Sequence, residues 1–340
     1  MPDVLELFDS KTVLNYLKER QYKPLLGETL FPEVKHDTLD FEYLVGASSL
    51  PVVASVHAFD TEAEIGSREA SKQALEAAYI KRKMQITEKD LIALQFPRTP
   101  QEQQYLTGRV FNDIDTLVQG VKARVELMRM EALTTGKVTL NENGLNMTVN
   151  YHVPEEHQET LAGTDLWTAE TADIIGDLER WQDSLDEKAT RALTSTKVLS
   201  QILRNSKIIG YLFGKDSGRI PTRADLNAFL LQHDLPTIAV YDSKFRRQND
   251  NGTYTTERYF GENKFVMFGS GTLGETLYGP TPEESRMIRE GNEQVQVVDK
   301  VIAMVYEEGL DPVSTWTKAA ATAIPSFPEA HNVFQAQPIA

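Results

Sequence analysis

The run GSGTLG, Gly269–Gly274, has the spacing of a dinucleotide-binding loop and follows a strand-like stretch, NKFVMF. Such a loop works only if a helix opens behind it, because the pyrophosphate sits on the first free N–H groups of that helix. Here ETLYGPTPEE comes next, and Gly279, Pro280 and Pro282 stop any helix. The run reads as a flexible loop, and a nucleotide-binding enzyme using Gly269, Gly271 and Gly274 stays only as a remote alternative. GYLFGKDS, Gly210–Ser217, has its glycines one residue too close for a phosphate loop, with Asp216 where a magnesium-holding hydroxyl belongs. In RQNDNGTYTTER, setting Gly252 at the sixth position of a calcium loop puts Arg247 and Arg258 where acids are required. His152 and His157 stand five apart across Pro154, off the i, i+4 spacing that brings two ligands to one helix face. His36, His57, His233 and His331 are scattered, and Glu155–Glu156 and Glu283–Glu284 read as solvated faces. There is no G-x-S-x-G elbow, and the absence of cysteine removes disulfides, thiolate metal sites and thiol nucleophiles together. No catalytic residue, cofactor or metal is expected, and the chain does not read as an enzyme.

Composition narrows the classes further. With 35 Lys+Arg against 50 Asp+Glu, the net charge is −15. A surface that grips nucleic acid through its phosphates needs the opposite balance. The hydrophobic share of 41% and charged share of 25% are those of an ordinary soluble protein, large enough at 340 residues for two cores. No apolar window is long enough to span a membrane, and MPDVLELFDSKTVLNYLKER has acids early and no apolar centre, so it does not read as a signal peptide.

The elements that would hold any site follow from periodicity. Leu106, Val110, Ile114, Leu117, Val121, Val125, Met128 and Ala132 recur at steps of four and three, with Arg109, Asp113, Asp115, Lys122 and Arg124 off the stripe. This predicts one amphipathic helix over about 101–135, roughly 50 Å long at ~1.5 Å per residue. Its interior glycines, Gly108 and Gly120, each cost on the order of 1 kcal/mol relative to alanine. KVTLNENGLNMTVNY alternates on both sides of Asn143-Gly144, a hairpin with a tight turn. A second hairpin turns at Asn251-Gly252. The run LPVVASVHAF, Leu50–Phe59, and its expected partner AYIKRKMQIT, Ala78–Thr87, bracket a polar tip and read as an extended ribbon that is marginal alone. From about His157 to Pro282 the pattern becomes mixed α/β, with a helix marked by Ile174, Leu178, Trp181 and Leu185, another by Val198 and Ile202, and a third capped by Thr222 and Asp225. A buried strand, TIAVYD, comes before the second hairpin, and a helix or strand is expected around Val295–Val305. The tail TWTKAAATAIPSFPEAHNVFQAQPIA carries little charge after Lys318, so it is expected to pack on the long-helix domain through Trp316, Ile324, Phe327 and Phe334.

Several of these stretches, in this order, resemble the lambda-type major capsid protein family (the protein E family) of tailed bacteriophages. They are ARVELMRMEALTTGKVTLNENG, LPTIAVYDSKFR, and NKFVMFGSGTLGETLYGPTPEE, followed by the tail from Asp311. Each is weak alone; the ordered set is specific and spans most of the chain. The resemblance implies an α+β tailed-phage major capsid fold. Its parts would be an N-terminal arm (1–47), an extended loop (48–90), a peripheral domain carrying the spine helix (91–156 and 285–340) and an inserted axial α/β domain (157–284). It implies hexamers and pentamers closed into an icosahedral head around double-stranded DNA, which is contacted only weakly. The expected partners are a portal at one vertex, a decoration protein, and a separate scaffolding protein, since only about 30 residues precede Phe31-Pro32. A nanocompartment shell around a cargo enzyme is the alternative of the same fold. Inter-subunit contacts are expected at Glu64, Gly66 and Arg68 on the loop tip and at Lys81, Arg82 and Lys83, with Lys81 and Lys83 on one strand face. Gly269, Gly271, Gly274 and Tyr278 complete the set, on a loop near the symmetry axes.

Some relatives of this fold carry a Lys-to-Asn cross-link, and this sequence shows no acid, lysine and asparagine set arranged for one. Mature particles on a denaturing gel should therefore give a single-chain band, and a covalent ladder would overturn that expectation.

Overall fold

The computed structural model describes residues 4–39, 41–45, 71–75, 77–142, 144–214, 217–249, 251–289, 300–309 and 314–340. In chain order, three helices open the chain, α1 (Val4–Leu7), α2 (Ser10–Glu19) and α3 (Leu26–Leu30). Strands β1 (Glu33–Lys35), β2 (Phe41–Val45), β3 (Ser71–Leu75) and β4 (Ala78–Ile86) follow, then α4 (Glu88–Gln95) and the long α5 (Pro100–Thr135). Next come β5 (Lys137–Glu142), β6 (Leu145–Asn150), β7 (Gln158–Thr160), α6 (Ile174–Ser184), β8 (Arg191–Thr194), α7 (Thr196–Arg204), α8 (Ser206–Phe213) and α9 (Arg223–Gln232). The chain continues through β9 (Thr237–Val240), β10 (Lys244–Gln248), β11 (Tyr254–Arg258), β12 (Phe265–Phe268), β13 (Thr276–Gly279) and α10 (Pro282–Arg289). It ends with β14 (Ile302–Glu308), β15 (Ser314–Pro325) and β16 (Phe334–Gln337).

Helix α5 starts and stops where local chemistry dictates. The Thr99 hydroxyl accepts the Glu102 N–H at 3.1 Å, and Pro100 occupies the first turn, where its missing N–H costs nothing. Gly136 ends the helix at φ +66°, a left-handed position that a side chain disfavours. Every residue of the predicted apolar stripe is buried. So is Asp115, which the periodicity put on the polar side. The reason is a second layer. Helix α2 and the residues on either side of it pack across α5, with Phe8 and Tyr16 against Phe111 and with Val13 and Leu17 buried in the same core.

Two sheets organise the rest. In the first, β15 is central. It pairs antiparallel with β4 along one edge, from Thr315↔Ile86 to Ala323↔Ala78. Its other edge is shared by β14 and β13, and β1 lies parallel outside β13. Helix α5 lies against β15 and β4, over the buried alanines 319, 321 and 323. The strand predicted at Ala78–Thr87 is present, yet its partner is the tail. The run 50–59 lies outside the described residues. β15 pairs on both edges because it is twelve residues long, nearly uncharged and largely buried.

The second sheet has the order β7-β16-β12-β8-β9 and its own core. Trp167 and Trp181 stack at 5.4 Å, Trp181 stacks on Phe334 at 5.1 Å, and Phe265 meets Trp167 edge-on at 5.2 Å. Phe334 thus anchors the tail in this second core and not in the first, because β16 hydrogen-bonds to β12. Ile324 and Phe327 are buried in the first core, whereas Trp316 is only half-buried. The chain crosses between the sheets after β12, since β13 already belongs to the first. Both hairpins form: β5 and β6 pair up to Glu142↔Leu145, and β10 and β11 up to Gln248↔Tyr254, with Gly144 and Gly252 at positive φ.

Truncating the central stacked ring, Trp181→Ala, removes an aromatic with contacts on both faces and should cost about 3–5 kcal/mol. Guanidinium unfolding of the variant checks this, and a loss under about 1 kcal/mol would mean that the stack is not structural.

Candidate assembly surface

Strand β4 carries the basic run to the surface. Lys83 sits over the Trp316 ring, with its Nζ 4.0 Å from the centroid and 3.3 Å from a Glu308 carboxylate oxygen. Lys81 lies over Tyr79 at 5.0 Å. Arg82 turns the other way, donating to Gln248 Oε1 at 3.0 Å from above the middle of α5. A cleft of about 430 Å³ opens there between β4, α5 and the β5–β6 hairpin, lined among others by Lys81, Arg82, Gly120, Arg124 and Glu142. Arg124 and Arg247 both pair with Glu142, at 3.0 and 2.8 Å. Among the described residues no carboxylate pairs with Lys81 or Arg82.

The glycine loop divides in two. Space is open at Gly269 and Gly271, and Arg191 donates to both of their carbonyls, at 2.8 Å to Gly269. Burial holds the Arg191 guanidinium below its ordinary pKa. Gly274 is packed instead of exposed: a Cβ there would come within 2.2 Å of the Ser326 carbonyl oxygen. Tyr278 stands inside β13 at 1% exposure, donating its hydroxyl to Glu33 at 3.1 Å, so within this chain it is core and not a surface contact. The stretch 276–279 is a strand because β1 and β15 both pair with it. Glu64, Gly66 and Arg68 lie outside the described residues.

Sequence periodicity missed the charges inside the molecule. Arg129, 1% exposed, donates from Nη2 to Glu33 at 2.8 Å, from Nε to Thr276 at 2.8 Å and from Nη1 to Glu126 at 3.4 Å. Glu126 also accepts the Gly27 N–H at 2.9 Å and the Tyr241 hydroxyl at 2.7 Å. Lys300 reaches Glu33 at 3.0 Å. On the same helix, Asp115 accepts from Tyr16 at 2.8 Å, Tyr22 at 2.9 Å and Arg20 at 2.9 Å. Burial, then the bond to Asp115, raises the Tyr22 phenol. Glu283 takes the Tyr79 hydroxyl at 2.5 Å and the Lys318 ammonium. The available signal was apolar residues such as Val118, Met130 and Leu133 off the main stripe, which mark a helix covered on more than one side. These are structural pairs in a packed interior, and no group of His, Asp and Glu that could hold a metal occurs among the described residues. No helix among them is long and apolar enough to cross a membrane.

Burial alone would raise the Glu33 carboxyl, but Arg129 and then Lys300 outweigh it and hold its pKa down to about 2. A depressed carboxylate stabilises the fold above its unfolded value, near 4.3, and loses that contribution as pH falls toward the folded value. The shift is worth on the order of 3 kcal/mol. Glu33→Gln should cost about that much in urea unfolding at pH 7 and should flatten the decline between pH 4.5 and 2. An unchanged acid limb would show that other carboxylates govern it.

The comparisons with known proteins bear on the whole chain. The sequence model described as phage major capsid protein E matches residues 9–337. No curated protein matches. Among solved structures, the chain is similar to one described as the capsid protein of a prophage of E. coli CFT073, with TM-score 0.62 and 18% identity over 97% of this chain and 99% of that one. It is also similar to a phage-related protein from Bordetella bronchiseptica RB50, with TM-score 0.54 and 12% identity over 97% of each chain. At those identities the two structures speak to the fold, which they share from end to end. The two-sheet body on a single spine helix, together with a family match from residue 9 to residue 337, makes this chain a member of the phage major capsid protein E family, a shell-forming capsid protein.

Proposed function

We propose that copies of this chain associate as hexamers and pentamers and close into an icosahedral head around the double-stranded DNA of a tailed phage. The observation that carries the reading is the family match over nearly the entire chain. Two features of the molecule support it. The buried acids and the guanidinium packed along α5 are tied into structural networks, which suits a building block better than a catalyst. The net charge of −15 leaves the shell wall repelling phosphate, so packaged DNA would meet it only weakly.

In this reading the region of the first sheet and α5 is the peripheral part, and the region of the second sheet is the axial part. The open positions Gly269 and Gly271 meet neighbouring copies near the symmetry axes. Assembly takes place in the host cytoplasm with a separate scaffolding protein and a portal, and a decoration protein is a candidate outer partner. The role is structural.

The test is co-expression with the scaffolding protein from the same genome, followed by sedimentation and electron microscopy. Closed particles of megadalton size are expected, with DNA inside those recovered from a lysate of infected cells. Chains that stay monomeric under every condition would overturn the shell, and native particles holding a cargo enzyme in place of DNA would replace the phage head with a nanocompartment.

A further inference from the structure

We propose that Arg191 is a clamp that holds the Gly269–Thr272 loop in one shape before a neighbouring copy docks on it. The part of the loop in assembly rests on the shell reading; the clamp itself does not. The loop is where the chain passes from β12 of the second sheet to β13 of the first, and both of its ends are fixed. On one side the Thr190 N–H donates to the Phe268 carbonyl at 3.1 Å, and Phe268 stands opposite Arg191 in the pairing of β12 with β8. On the other, the Leu273 N–H donates to the Leu30 carbonyl at 2.9 Å, and Gly274 packs on Ser326. Between these ends, residues 270–272 are exposed, and a Cβ at Gly269 or Gly271 would meet nothing within 4 Å. Among the described residues, the hydrogen bonds that hold residues 269–272 are those from Arg191 to the Gly269 and Gly271 carbonyls, at 2.8 Å for the first.

The side chain suits that task. A guanidinium is a planar fork with its N–H groups in fixed directions, so Nε and Nη2 can hold two carbonyls at once. It also lies over the Phe268 ring, 4.9 Å from the centroid, which steadies the plane of the fork. A half-buried guanidinium is ordinarily matched by a carboxylate. Here the hollow of about 340 Å³ that Arg191 lines with Leu26, Leu30, Arg223 and Ile238 has neither Asp nor Glu in its wall. Among the described residues the two loop carbonyls are its only hydrogen-bond acceptors. A Gly-Ser-Gly-Thr loop that entered a contact loose would lose backbone entropy on docking. Ordered in advance by one side chain, the same loop avoids that loss, and the contact is stronger for it.

The clamp is tested on the unassembled full-length chain, without scaffolding protein, by NMR order parameters of isotope-labelled glycine amides. Gly269 and Gly271 should lie near the rigid-backbone value of about 0.85 in the parent and fall below about 0.6 in Arg191→Met and in Arg191→Lys. Methionine keeps a long stem beside Phe268 and removes the fork; lysine keeps the charge but has a single nitrogen where two carbonyls must be held. Gly274, packed on Ser326, and Gly279, inside β13, should not change, and neither should the urea midpoint. Loop glycines that are already loose in the parent, or that stay ordered in both variants, would overturn the clamp. So would a midpoint that falls while all four glycines loosen together, since Arg191 would then support the whole fold and not the loop. In co-expression with the scaffolding protein, each variant should give at least roughly fivefold fewer closed heads than the parent, because the loosened loop must be ordered on docking. A lysine variant that assembles like the parent would show Arg191 acting through its charge and would sink the part assigned to loop shape. A parent that forms no heads while its loop glycines are rigid would sink the shell reading and leave the clamp standing.

Discussion

One guanidinium with almost no access to water sets the terms for the rest of the molecule. Removing an ion from water costs several kcal/mol unless each of its donors finds an acceptor. Arg129 meets that demand with Glu33, Thr276 and Glu126, and Glu126 in turn takes the Gly27 N–H and the Tyr241 hydroxyl. These partners come from the opening segment, the spine helix, the far side of β9 and the strand β13. If any one of them is misplaced, a buried charge is left unpaired. The network therefore holds four separate stretches of chain in one arrangement, and its value lies in that specificity more than in net stability.

The same logic explains why the opening segment lies on the spine helix. Asp115 would be an ordinary surface acid on an isolated amphipathic helix. Tyr16, Arg20 and Tyr22 cover it, and their apolar neighbours Phe8, Val13 and Leu17 bury the surrounding area. The first core therefore has two layers over one helix, with the β15 sheet beneath and the opening helices above. A strut packed on both sides resists bending along its length, which is what a thin wall of repeated subunits requires.

Charge is sorted by depth. Inside, every acid of the spine network has a donor. At the rim of β4, Lys81 and Arg82 have none among the described residues, although the chain as a whole is strongly acidic. A single chain gains little from exposed unpaired cations at a strand edge beyond discouraging the wrong strand from adding there.

The primary structure by itself determined the spine helix, both tight hairpins, the capped helix at Thr222 and the absence of a recognisable catalytic motif. These rest on local rules: 3.6-residue periodicity, the positive φ demanded at Gly144 and Gly252, and side-chain oxygens placed to cap N–H groups. The order of those elements also sufficed to suggest the family. Only the tertiary structure decided which strands meet. That β4 pairs with the tail, that Phe334 belongs to the second core, and that Tyr278 and Asp115 are interior all depend on contacts between residues tens to hundreds of positions apart. A periodicity reports how many faces of an element are apolar, but the identity of whatever covers a polar side chain such as Arg129 is settled only when the distant partners arrive.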